Sequence, residues 1–149
     1  MLLKRENVFM DVDVGSADEL FEKIGLHMVK GGYAKDSFVQ ALKDREKEFS
    51  TGLPAKAVGT AIPHVDAEHI LIPAVAVVKL KNSIPFIMMG SSDTVIDVGV
   101  VFMLLLQKAE CQLLMLQKLM GLLQDETIMQ NIVECSSGGE LYDLLKEII

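Results

Sequence analysis

The stretch TVIDVGVVFMLLL, residues 94–106, decides the fold class. From Val98 to Leu106 it is purely apolar over nine residues. A membrane-spanning helix needs roughly 20, so the run belongs inside a folded domain. A half-buried strand alternates apolar and polar residues, and this one does not. Its continuous apolar character predicts a central strand covered on both faces by other layers.

The flanking segments supply those layers. Upstream, AVAVVKL (Ala74–Leu80) and IPFIMM (Ile84–Met89) read as two strands joined by the polar connection Lys81-Asn82-Ser83. Downstream, a loop at Gln107–Glu110 precedes a strongly apolar helix ending near Leu123. Two shorter helices follow, Glu126–Val133 and Glu140–Ile148, separated by Ser136-Ser137-Gly138-Gly139.

Toward the start, Leu20, Phe21, Ile24 and Met28 form one stripe of a helix over Asp18–Lys30. Ser16 is placed to cap its first turn, and Gly31-Gly32 ends it. A second helix is predicted over Lys35–Lys47, with Phe38, Ala41 and Leu42 inward. Asp36 at its start and Lys43, Arg45 and Lys47 at its end complement the helix dipole. Arg45 follows Phe38 by seven residues and Leu42 by three, which puts it at the rim of the buried face. Helix pairs before and after a strand-rich middle imply one layered α/β domain over residues 1–149, without internal repeats.

Composition narrows the function classes. With a formal charge of −7 and scattered basic residues, the chain lacks the concentrated positive patch of a nucleic-acid binder. The opening MLLKRENVFMD meets charge too early for the apolar core of a secretory signal. Cys111 and Cys135 lie far apart in helix-like contexts, as reduced, buried thiols of a cytoplasmic protein would. Neither sits in an exposed glycine-rich strand-to-helix loop, so neither reads as a phosphocysteine. The sequence predicts no membrane insertion, cofactor or metal, and GxxxxGK[ST] is absent.

The chemistry concentrates in TAIPHVDAEHI, Thr60–Ile70, which holds two of the three histidines, His64 and His69, with Asp66 and Glu68 between them. Pro63 stiffens the approach to His64 and restricts Ile62 to extended geometry. Three readings stay open on these residues alone: a surface-loop histidine, a metal cradle, or an imidazole with covalent work to do. The metal reading suffers because HxDxEH is not HExxH, which sets two histidines on one helical face. Upstream, REKEFSTGL adds Arg45, Ser50, Thr51 and Gly52. A guanidinium and hydroxyls suit phosphate oxygens, and a glycine lets backbone N–H groups approach an anion.

Together, RE…STG and AIPH resemble the active-site signature of enzyme IIA of the phosphoenolpyruvate-dependent sugar phosphotransferase system, mannitol/fructose type. The continuation IPHVDAEHI is most similar to the galactitol-type branch. The resemblance covers essentially the whole chain and implies a mixed β-sheet flanked by helices. It implies that His64 accepts a phosphoryl group from the phosphocarrier HPr and passes it to a cysteine of enzyme IIB, which feeds the membrane component IIC. A regulatory protein of the same type, controlled by histidine phosphorylation, is the first alternative, and a metal-dependent hydrolase the second. Arg45 matches the family arginine, and Ser50, Thr51 and Gly52 match its Ser-Thr-Gly. His69 is expected to orient the site or contact a partner. Gln112 stands where many relatives carry a second histidine; its amide can donate a hydrogen bond but cannot become cationic.

Overall fold

In the computed structural model, which describes residues 2–149, one sheet contains β1 (Leu3–Val12), β2 (Gly52–Leu53), β3 (Gly59–Ala61), β4 (Ala74–Ile87) and β5 (Val95–Leu105). The spatial order is β1-β4-β5-β3-β2. β1 runs parallel to β4 and β3 parallel to β5, while β4–β5 and β2–β3 are antiparallel. The sheet is therefore mixed, as expected.

β5 explains its own sequence. Val98, Val101, Met103 and Leu105 pack into one core with Phe21, Met28, Phe38 and Leu42. Val100, Phe102, Leu104 and, just beyond the strand, Leu106 pack into a second core with Met115, Leu119, Met129, Ile132 and Leu141. From Val100 onward alternate side chains feed opposite cores, Val98 lying beyond the register slip, and both cores are apolar, so the expected period of two disappears from the sequence.

The first core is closed by α1 (Ala17–Leu20), a π-helical segment Phe21–Gly25, α2 (Leu26–Lys30) and α3 (Phe38–Glu48). Ser16 caps the first turn, its Oγ accepting from the Glu19 N–H at 3.2 Å. After α2, Gly31 donates its N–H to the His27 carbonyl and Gly32 turns left-handed at φ +85°, so the double glycine stops the helix as read from sequence. The second core is closed by α4 (Ala109–Gln124), α5 (Glu126–Glu134) and α6 (Gly138–Leu145). Among the described residues, no helix is long and apolar enough to cross a membrane.

Several sequence expectations shift. Residues 74–87 form one continuous strand, not two. The Lys81-Asn82-Ser83 segment lies within it, where the register with β5 slips between Lys79 and Ile84. The chain reverses only at 88–94, with Gly90 at φ +79°. α3 begins at Phe38 because Lys35 is tied elsewhere: its N–H donates to the His69 carbonyl at 2.9 Å. Cys111 is exposed on α4 and Cys135 partly buried after α5, so the pair are free thiols but not the two core residues expected.

Candidate functional site

The site is built where β3 runs out against the end of β5. Ile62 is buried and the Pro63 carbonyl accepts from the Leu104 N–H at 3.0 Å. A proline has no N–H to give, yet its carbonyl keeps the ladder going for one more step. His64 consequently pairs with Leu104 as an isolated parallel bridge. The histidine is thus anchored to the buried end of β5, not carried on a free loop.

Its ring is oriented by its own backbone. Nδ1 of His64 lies 2.8 Å from the Ile62 carbonyl oxygen. A carbonyl can only accept, so Nδ1 carries the hydrogen and Nε2 keeps the lone pair. Burial lowers the imidazole pKa. The Ile62 hydrogen bond opposes that shift, the Arg45 charge adds to it, and the Asp66 charge opposes it. The result is a neutral imidazole with one fixed tautomer at physiological pH.

Two adjoining hollows flank this region. One, of about 400 Å³, is lined by His64, Ser50, Thr51, Met89 and Leu116. The other, of about 500 Å³, is lined by Ser37, Asp44, Arg45, Asp66 and His69. Glu48 and Phe49 line both.

Arg45 sits where helical spacing predicts, at the rim of α3, with its side chain about one-third exposed (31%). Nη1 contacts Asp66 Oδ1 at 3.2 Å, and the guanidinium carbon lies 4.6 Å from the Phe49 ring centroid. Its Nε is buried and has no hydrogen-bond partner among the described residues. Asp66, which lies between the two histidines in sequence, thus neutralises the arginine.

Thr51 and its neighbours are organised by a residue to which the sequence reading gave no role, Glu46. The Thr51 N–H donates to Glu46 Oε2 and the Thr51 hydroxyl to Oε1, both at 2.7 Å. Ser50 Oγ donates to the Glu46 carbonyl at 3.2 Å. Burial pushes the Glu46 carboxyl up to about 7, against the lowering effect of the two Thr51 bonds. The Glu in RE…STG was the available signal, but its role needed the turn geometry. Gly52 has a backbone reason to be glycine: a Cβ there would stand 2.7 Å from the Ile87 carbonyl oxygen. β2 can approach β4 at that point only without a side chain.

His69 ends a 3-10 turn, Ala67–His69, and is fastened to the start of α3. Its Nδ1 lies 2.8 Å from Ser37 Oγ and its carbonyl accepts from Lys35. The ring closes the Arg45 hollow rather than the His64 one. Gln112 lies in the first turn of α4, half-buried, one turn before Leu116 of the His64 hollow. His64, Asp66, Glu68 and His69 do not converge. Among the described residues, no three or more His, Cys, Asp or Glu side chains are grouped to hold a metal ion.

Residues 1–148 match the family model described as "Phosphoenolpyruvate-dependent sugar phosphotransferase system, EIIA 2". The chain is 30% identical over 129 residues to the galactitol-specific EIIA component of the Escherichia coli K12 phosphotransferase system, covering 85% of each chain. Its fold is similar to that of enzyme IIA in the complex of E. coli IIAMTL with phosphorylated IIBMTL. That likeness has a TM-score of 0.78 at 25% identity and covers 98% of this chain and 99% of the other. Nitrogen regulatory protein IIA-Ntr of Neisseria meningitidis is similar to the same degree, with a TM-score of 0.78 at 27% identity over 97% and 96% of the two chains.

Proposed function

The chain belongs to the EIIA 2 family of the phosphoenolpyruvate-dependent sugar phosphotransferase system, and from that premise we propose that His64 is the residue on which it carries phosphate. It is a phosphotransferase component with the mannitol/fructose-type fold, and proteins of this type receive a phosphoryl group on histidine and hand it to an enzyme IIB. The observation that carries the choice of His64 is the Nδ1 contact to Ile62, which leaves Nε2 as an unshared nucleophile at the edge of the hollow it shares with Ser50 and Thr51.

In the reaction so read, the Nε2 lone pair of His64 forms a bond to phosphorus as the donor's bond to phosphorus breaks. The ring then bears hydrogen on Nδ1 and phosphorus on Nε2, and the Ile62 carbonyl stabilises the positive charge so gained. Burial keeps the imidazole unprotonated beforehand, so no proton must leave before attack. Arg45 supplies the mobile positive charge, and its unpartnered Nε–H adds a donor already stripped of water. Phospho-HPr is the donor in this reading, and a cysteine of the cognate IIB is the acceptor, feeding a membrane IIC. Residues 1–149 act as a single cytoplasmic domain, with no cofactor.

The pathway is assigned to galactitol or a related polyol. This rests on the likeness to the galactitol-specific component and on the IPHVDAEHI continuation. Sugar choice lies in the membrane component, so no polyol pocket is required in this chain. The likeness to IIA-Ntr supports a second reading, in which the phosphorylation state of His64 governs another protein. Labelled phospho-HPr tests the carrier assignment. The parent takes up one phosphoryl group per chain and His64→Ala takes up none; an alkali-stable label of equal yield on the mutant overturns it.

A further inference from the structure

We propose that Glu46 is a positioning residue for this transfer: one proton on its Oε1 decides whether the Thr51 hydroxyl hydrogen points back into α3 or out to the phosphoryl group on His64. The inference rests on the assignment of phosphate to His64.

The geometry leaves few alternatives. Glu46 presents both carboxyl oxygens to one residue, Oε2 to the Thr51 N–H and Oε1 to the Thr51 hydroxyl. As a carboxylate, Glu46 is acceptor-only, so the hydroxyl hydrogen must lie on the 2.7 Å line to Oε1. Thr51 then offers the hollow lone pairs and no donor, which repels phosphoryl oxygens. If Oε1 takes a proton from solvent, the same contact reverses: Oε1–H donates and Thr51 Oγ accepts. Oε2 still accepts from the Thr51 N–H, so the turn keeps its shape. The hydroxyl hydrogen is released, and Thr51 is buried to 2% exposure, so water cannot readily satisfy it. In the hollow shared by Thr51 and His64, the incoming phosphoryl group supplies an acceptor.

The surroundings of Glu46 permit such a proton. Its hollow is faced by Asp18 from α1 and by Lys43, Lys47 and Glu48 from α3 itself. Lys43 is engaged with Glu22 at 2.6 Å. From β4 come Pro85, Phe86 and Ile87, which carry no side-chain charge, and from the following turn Ser91 and Ser92. Burial raises this carboxyl into the physiological range. Because the released hydrogen and the phosphoryl group satisfy each other, linkage is reciprocal: phosphate on His64 favours the protonated acid, and the protonated acid favours phosphate.

Glu46→Gln fixes the proposed active arrangement. Its Oε1 accepts from the Thr51 N–H, and its Nε2 donates to Thr51 Oγ at any pH. Phosphoryl uptake from phospho-HPr is measured from pH 6 to 8.5 for the parent, Glu46→Gln and Thr51→Val, with label mapped in each. The ratio of Glu46→Gln to parent rates cancels titration of the donor protein. It is expected to rise at least fivefold across that range, while Thr51→Val is slow and its pH profile is that of Glu46→Gln. A constant ratio, with label on His64 in both proteins, overturns the role of Glu46 and leaves the carrier assignment standing. Label absent from His64 in the parent overturns the carrier assignment itself. Carbon-13 NMR of the Glu46 carboxyl in the parent needs no variant: its midpoint is expected to rise on phosphorylation, and an unchanged or lower midpoint overturns the proposal.

Discussion

Asp66 grips Arg45 through one contact, 3.2 Å from Oδ1 to Nη1, beside the histidine that would carry phosphate. The carboxylate is 73% exposed and the guanidinium 31%, so the pair is a surface pair of small net strength. It can therefore open when a dianion arrives. Asp66→Asn removes both the competing carboxylate and its repulsion of phosphate. Phosphoryl uptake should quicken by roughly 2- to 10-fold in rapid-quench measurements, with stability within about 0.5 kcal/mol of the parent. Slower uptake would mean that Asp66 positions Arg45 instead of restraining it.

Arg45→Ala removes the positive charge and the buried Nε–H together. Transfer should fall on the order of 10²-fold, the cost of losing one oriented donor in a phosphoryl or oxyanion site. Arg45→Lys should recover only part of that loss, because a point charge cannot replace the guanidinium fork or its stacking on Phe49. Full recovery by lysine would reduce the role of Arg45 to charge alone.

Gly52→Ala tests the turn from the backbone side. The new Cβ would lie 2.7 Å from the Ile87 carbonyl, a rigid strand atom that cannot step aside. Destabilisation of about 1–3 kcal/mol is expected, readable as a Tm lower by roughly 3–10 °C. An unchanged Tm would show that β2 and β4 are not held so closely.

How much of this was legible beforehand depends on whether periodicity carried it. Val98–Leu106 announced a strand buried on both sides, and Ser16 and Gly31-Gly32 announced the bounds of the first helix. β1 was not legible. It lies at the sheet edge, only Leu3, Asn7 and Val12 are buried along it, and register slips on β4 break any alternation. β2 and β3 are too short to show a period. AIPH and STG flagged the site, but Asp66 on Arg45 and Thr51 on Glu46 are side-chain choices made by folding. Local pattern does not encode them.

Two of the shifted groups, Glu46 and His64, pull stability in opposite directions with pH. Glu46 is raised from 4.5 to about 7, so the folded chain holds a proton that the unfolded chain has lost, and stability falls as pH climbs through that window. His64 is lowered, so the unfolded chain binds the extra proton, and its stabilising contribution is lost as pH drops below 6.5. Urea unfolding of the parent and Glu46→Gln should separate them. Between pH 5 and 7.5 the parent should lose on the order of 2 kcal/mol relative to the variant. Parallel curves would show that the Glu46 carboxyl titrates normally.

The central claim is that His64 accepts phosphate through the nitrogen its backbone leaves free. The direct measurement is phosphorylation by phospho-HPr, mass mapping under alkaline conditions that preserve phosphohistidine, and nitrogen-15 NMR of the modified ring. One phosphoryl group on His64, bonded to Nε2 with hydrogen retained on Nδ1, is the expected result. Stoichiometric phosphate on His69 with His64 unmodified, or phosphate on Nδ1 of His64, would contradict it.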